Sequence, residues 1–178
     1  ANASLYDGHT AAAEGCILAH NLSGKRVFRV SAGMHPETLR VLRTMFAQTD
    51  LSLEIEPLGS CGRTSLNPLS QDTAALVVQS PNFYGCLEDI RFCADAAHTQ
   101  GAVLLVICDP LTLSLIEAPG RLGADIVVGE AQVFGNYMSF GGPHLGYLTA
   151  AQAFLRKIPG RIVGETVDRE GRQAYTLT

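Results

Sequence analysis

The sequence has no apolar run approaching the roughly 18 residues that a membrane-spanning helix needs. Its N-terminus carries no basic stretch followed by an apolar one, so neither a span nor a signal peptide is read from it. Lysine is nearly absent, Lys25 and Lys157 being the only two. Charge of either sign is thin, 17% of 178 residues with a net −4, and the basic residues are scattered. That leaves no electrostatic footprint for nucleic acid or an anionic membrane. The five cysteines, Cys16, Cys61, Cys86, Cys93 and Cys108, form no Cys-x-x-Cys and no repeating spacing. They read as reduced residues of a cytoplasmic protein rather than a disulfide framework. Without a His-x-x-x-His pair either, no metal site is expected. Gly-x-Gly-x-x-Gly between a first strand and helix, Gly-x-x-x-x-Gly-Lys-Ser/Thr and Gly-x-Ser-x-Gly are all missing. Their absence disfavours a nicotinamide enzyme, a P-loop and a nucleophile-elbow hydrolase.

What is present is apolar material for one core, 47% of the chain, with one domain over residues 1–178 as the expectation. The stretch that organises it runs from Gly101 to Gly146. It opens with the longest apolar run, Ala102-Val-Leu-Leu-Val-Ile-Cys108, which ends in Asp109-Pro110. A continuous run of that kind reads as a strand buried on both faces. A carboxylate at the C-terminal end of such a strand stands where open α/β sheets bind ligands, although an Asp there also caps the next turn. The run Ala74-Ala-Leu-Val-Val78 is a second doubly buried strand.

Around these, Asp7 caps a helix from Gly8 through about Asn21, and Lys25 to Ser31 forms a strand. Pro36 opens a second helix, and Leu51 to Glu56 alternates with period two, the pattern of an edge strand. Gly59 to Gln71 is a loop. Leu87, Ile90, Ala94 and Ala97 mark a third helix, with Glu88 and Asp89 in its first turn. A short helical turn is expected near Leu113 to Ile116, strands at Ile126 to Val128 and Leu145 to Thr149, and a helix at Ala150 to Ile158. A hairpin over Ile162 to Leu177 turns at Asp168 to Gly171. Alternation of strands and helices predicts an α/β sheet that is mostly parallel, with the last pair antiparallel because no helix of length joins Val128 to Leu145. The chain begins Ala1-Asn2-Ala3 without Met and stops mid-pattern, which reads as a piece of a longer protein.

Tyr6-Asp-Gly-His-Thr10 places small and hydroxyl residues at a helix N-terminus, whose free N–H groups suit a phosphate; an ordinary cap explains the same residues. His9 and His144 are ligand-facing or simply polar loop residues. A phosphate cradle, an Asp ending a buried strand and a Gly-rich loop after the next strand are the parts that hold pyridoxal phosphate, in which the Asp keeps the pyridine nitrogen protonated. The remaining part, a Schiff-base Lys soon after Val128, is missing, since Lys25 begins a strand and Lys157 lies in a late helix.

Five motifs then carry a resemblance: Asn2-Ala-Ser-Leu-Tyr-Asp-Gly8, Gln79-Ser-Pro-Asn-Phe83, Gly123-Ala-Asp-Ile-Val-Val-Gly-Glu-Ala-Gln132, Ser139-Phe-Gly-Gly-Pro143 and Pro159-Gly-Arg-Ile-Val-Gly-Glu-Thr-Val-Asp168. Over essentially its whole length the chain resembles glycine dehydrogenase (decarboxylating), the P-protein family of the glycine cleavage system, in its alpha-type half (subunit 1). The resemblance implies the large domain of a fold-type I pyridoxal-phosphate-dependent transferase, a seven-stranded, mostly parallel sheet flanked by helices, with Ala3 to Tyr6 as first strand. These residues would be an incomplete large domain, without the preceding segment and the small domain.

In the family's catalytic half a Lys lies eleven residues before the Pro of the Gly-Gly-Pro loop. Counted back from Pro143, that position here is Gln132, which cannot form a Schiff base. The resemblance therefore implies a vestigial pocket of Asp7, Gly8, His9, Thr10, Asn82, Asp109 and Gln132, with no catalytic residue and no covalently bound cofactor in this chain. His9 and Ala131 depart from the usual pattern, where smaller residues are common. The holoenzyme's implied reaction is decarboxylation of glycine on pyridoxal phosphate with aminomethyl transfer to the lipoyl group of the carrier H-protein. The implied partners are that H-protein and a Lys-bearing beta-type half (subunit 2), which carries the cofactor, in a heterotetramer. The alternative is a non-enzymatic α/β binding or interaction module.

Overall fold

The computed structural model describes Asn2 and residues 4–177. Helix α1 (Gly8–Ser23) starts on Asp7, whose carboxylate accepts from the Thr10 N–H at 2.7 Å, and ends where the Gly24 N–H donates to the His20 carbonyl at 2.7 Å. Its buried face is built of small residues, Ala11, Ala12, Ala13, Gly15, Cys16 and Ala19 with Leu18. Small side chains let the helix lie close on the sheet: a Cβ at Gly15 would stand 2.5 Å from the Leu105 side chain. Strand β1 (Val27–Ser31) leads to α2 (Pro36–Phe46), with Pro36 at a first-turn position where no N–H is needed. Strands β2 (Ser52–Glu56) and β3 (Thr73–Gln79), helix α3 (Ile90–Thr99), and strands β4 (Val103–Ile107), β5 (Ile126–Glu130) and β6 (Gly146–Ala150) follow. Strands β7 (Val163–Val167) and β8 (Gln173–Leu177) pair as the expected antiparallel hairpin.

Among the described residues the main sheet has six strands in the order β2-β1-β3-β4-β5-β6, parallel except for β6, which runs antiparallel to β5 as expected of a connection without a helix of length. β2 is the edge, in keeping with its alternating pattern. Every residue of β4 is buried, and its alternate side chains serve two cores. Val103, Leu105 and Ile107 pack with α1 and α2 on one face, while Leu104, Val106 and Cys108 pack with α3 on the other. The result is three layers, helix on sheet on helix.

Three expectations need correction. Among the described residues the sheet has six strands rather than seven: the segment before α1 meets β6 at an isolated antiparallel bridge, Leu5 with Gly146, and through a bond from the Asn2 N–H to the Leu148 carbonyl at 3.1 Å. Ala3, where the expected first strand begins, lies outside the described residues. The segment after β6 forms a six-residue 3-10 turn (Gln152–Lys157) instead of an α-helix, because Pro159 follows almost at once. Leu87 and Glu88 precede α3, which Asp89 caps by accepting from the Phe92 N–H at 3.0 Å.

Candidate functional site

The C-terminal ends of β3, β4 and β5 and the N-termini of α1 and α2 enclose a cavity of about 210 Å³. Its walls include Gly8 and His9 from α1, His35 and Thr38 from the start of α2, and Gln79 and Pro81 after β3. Ile107, Cys108 and Asp109 come from the end of β4, and Gly129, Glu130 and Val133 from the end of β5. This is the crevice beyond the strand ends where open parallel sheets take ligands.

Of the residues singled out from the sequence, Gly8, His9 and Asp109 line it. The His9 ring shares a 2.8 Å hydrogen bond between Nδ1 and Thr38 Oγ1 and lies 5.5 Å from the His35 ring. Asp109 is exposed and its Oδ1 accepts from the Leu111 N–H at 3.0 Å, which caps the 3-10 turn Pro110–Ser114; it is therefore both a pocket residue and a cap. Asp7 and Thr10 serve α1: the Asp7 carboxylate takes the Thr10 hydroxyl at 3.0 Å as well as its N–H.

Asn82 is 4% exposed and engaged by its own loop. Its Nδ2 donates to the Gly62 carbonyl at 2.9 Å and Glu88 Oε1 at 3.1 Å, and its Oδ1 accepts from the Tyr84 and Cys86 N–H groups. Gln132 begins the 3-10 turn Gln132–Phe134, and its N–H donates to Glu130 at 2.9 Å. His144 lies outside the lining but within 3.6 Å of the Glu130 carboxylate.

Two residues carry more of the site than the sequence suggested. His35 stands between β1 and Pro36, with Nδ1 accepting from the Glu37 N–H at 3.1 Å, so the neutral ring carries its proton on Nε2. Its backbone N–H is fixed by Gln79 Oε1 at 2.8 Å and its ring meets Phe83 edge-on at 5.0 Å. Glu130 gathers three backbone donors: Oε2 accepts from Gly8 at 3.0 Å, and Oε1 from Gln132 at 2.9 Å and Leu145 at 2.7 Å. The signal for Glu130 is the one that marked Asp109, a carboxylate at the C-terminal end of a buried strand.

Cys108 is the one thiol on the wall, and burial raises its pKa, so it is protonated and a poor nucleophile at neutral pH. Tyr147 donates to the Cys108 carbonyl at 2.7 Å, and burial raises its pKa as well. Neither lysine is near. Lys25 Nζ donates to the Gln100 and Gly101 carbonyls at 2.7 and 2.9 Å, and Lys157 Nζ to the Asn21 carbonyl at 3.2 Å, all at the opposite end of the sheet. Among the described residues no group of three or more His, Cys, Asp or Glu could hold a metal, and no helix is long and apolar enough to cross a membrane.

A family profile described as glycine cleavage system P-protein matches residues 1–178. The chain is 47% identical over 180 residues to a probable glycine dehydrogenase (decarboxylating) subunit 1 of Exiguobacterium sibiricum, covering 100% of this chain and 40% of the relative. It is likewise 47% identical over 183 residues to the protein so named in Chlorobaculum tepidum, covering 100% and 41%. The crystal structure of a glycine decarboxylase (P-protein) of the glycine cleavage system, in inhibitor-bound form, superposes with a TM-score of 0.94 at 48% identity, over 99% of this chain and 40% of that one. Apo CalE6, a methionine gamma lyase from Micromonospora echinospora, shares the fold alone, with a TM-score of 0.65 at 17% identity over 86% and 40% of the chains. The chain thus spans about two fifths of the length of the relatives it matches.

Proposed function

The chain belongs to the glycine cleavage system P-protein family, and we propose that it is the large-domain part of an alpha-type half that performs no covalent chemistry and completes the enzyme by assembly. The observation that carries this reading is the position of the lysines. A P-protein sheet here brings Gly8, His9, His35, Asp109 and Glu130 around a crevice, while both lysines are spent on carbonyls at the far end.

Pyridoxal phosphate supplies an electron sink for decarboxylation of an amino acid. The residues present do not fit its covalent attachment: no ammonium reaches the crevice, and the Gly8 N–H at the start of α1 is already engaged by Glu130. We therefore assign the cofactor to a lysine-bearing beta-type half, with glycine and the lipoyl group of a carrier H-protein as that assembly's substrates. Exposed side chains after β3, β4 and β5 support such an assembly: Phe83, Tyr84, Leu115, Phe134, Tyr137 and Phe140 are all exposed in the segments that follow the strand ends lining the crevice. The five free cysteines, two of them with thiols pushed up to about 12 by burial, fit a reducing cytoplasm.

The test is reconstitution of glycine–bicarbonate exchange. The full-length chain, a lysine-bearing half, H-protein and pyridoxal phosphate are expected to exchange label, and omission of either half or loss of the partner's lysine to abolish it. Exchange by this chain without a partner, or a stoichiometric borohydride-reduced pyridoxyl adduct on it, would overturn the reading.

A further inference from the structure

The first turn of a helix presents N–H groups that the helix cannot satisfy, at the positive end of its dipole. In α1 the Thr10 N–H is taken by the Asp7 carboxylate. The Gly8 N–H is taken from a distance of 122 residues, by Oε2 of Glu130 at 3.0 Å. The fit is close, since a Cβ on Gly8 would stand 2.9 Å from the Glu130 backbone nitrogen and 3.0 Å from the Gly129 carbonyl carbon. The other carboxylate oxygen holds the N–H groups of Gln132 and Leu145, which bracket the loop between β5 and β6. Three backbone donors, one of them at a helix N-terminus, therefore converge on one side-chain carboxylate, the environment that an anionic ligand would otherwise seek.

We propose that Glu130 is a built-in anion occupying the phosphate position of this crevice, so that the chain turns away phosphorylated ligands by charge and not merely by lacking a lysine. The inference rests on the reading of this chain as the half without covalent chemistry, and it adds a cause that the loss of a lysine does not supply. A phosphate monoester brought to α1 meets a fixed carboxylate of its own sign and finds the Gly8 donor engaged. One side chain thus does two jobs: it neutralises the start of α1, and it ties both ends of the loop at residues 131–145 to that helix.

The experiment measures binding of inorganic phosphate and of pyridoxal phosphate to the full-length chain, as wild type, Glu130→Ser and Glu130→Gln. Wild type is expected to show no saturable phosphate binding. Glu130→Ser, which vacates the position, is expected to bind inorganic phosphate at least tenfold more tightly and to bind pyridoxal phosphate reversibly, in competition with phosphate. Glu130→Gln keeps the size of the side chain and removes the charge, and a smaller gain in the same direction is expected. In protein labelled with [15N]glycine, added phosphate is expected to leave the wild-type Gly8 amide resonance in place and to shift it in the variants. That reading of the wild type stands even if one substitution fails to fold. Folded variants with no gain, or a wild-type Gly8 resonance that moves with phosphate, would sink the inference and leave the non-catalytic assignment standing. A reducible pyridoxyl adduct on wild type would instead sink the assignment itself.

Discussion

A methyl group at Gly8 would press on peptide atoms of Gly129 and Glu130, which cannot swing aside as a side-chain tip can. Gly8→Ala is therefore expected to destabilise the protein by roughly 1–2 kcal/mol through overpacking, despite alanine's better helix propensity, and a lowered midpoint in urea denaturation checks it. A stability equal to or above wild type would mean that α1 slides on the sheet end more freely than the contacts indicate. Legibility at this scale followed sequence distance. Asp7 was readable as a cap because its partner, Thr10, lies three residues on. Glu130 was not, because of its three donors only Gln132 is near in sequence, the others lying 122 residues back and 15 residues ahead. Asn82 looked available for a ligand because nothing local announces that Gly62 and Glu88 will claim its amide.

Strands buried on both faces were the most legible elements, β3 and β4 as unbroken apolar runs; β2's alternation marked a strand but not its burial, since Ile55 is exposed and Glu56 buried. The long connection between β2 and β3 was readable only as a loop, yet buried charges organise it. Arg29 on β1 pairs with Glu56 at the end of β2, which is fully buried, and Glu56 Oε2 in turn accepts from the Asn67 N–H at 3.0 Å and its Nδ2 at 3.1 Å. Arg29 Nη1 also donates to the Pro68 carbonyl at 3.2 Å. Glu56→Ala leaves the buried guanidinium with only the half-exposed Glu54 carboxylate, 3.4 Å from its Nε, and a loss of about 3 kcal/mol is expected by chemical denaturation. The double variant Arg29→Met with Glu56→Leu is expected to lose clearly less than Glu56→Ala, because it strands no charge. Equal losses would show that the pair acts as packing alone.

At the scale of the whole molecule, layer order and strand direction were readable from the alternation of elements, whereas the side chains left without neighbours were not, since exposure is a property of the finished surface. Tyr137, Met138 and Phe140 stand almost wholly exposed on the loop after β5 that also carries the exposed Phe134, and Leu115 after β4 is exposed as well. Apolar groups collected in that way associate. Residues 1–178 made alone are expected to self-associate with rising concentration in light scattering, and the lysine-bearing half to suppress it; a strict monomer across the range would count against the assembly surface. The bond between Gly8 and Glu130 also bears on how the chain is made. At ribosomal rates of roughly 5–20 residues per second, the 122 residues that separate its two ends take about 6 to 24 s to appear. Through most of that interval α1 lacks the β5 and β6 residues Ile126, Val128 and Leu148 of the core it joins. Helix α1 is thus seated late, and a nascent chain holds out an alanine-rich apolar face for chaperones to cover until the loop at residues 131–145 arrives to lock it.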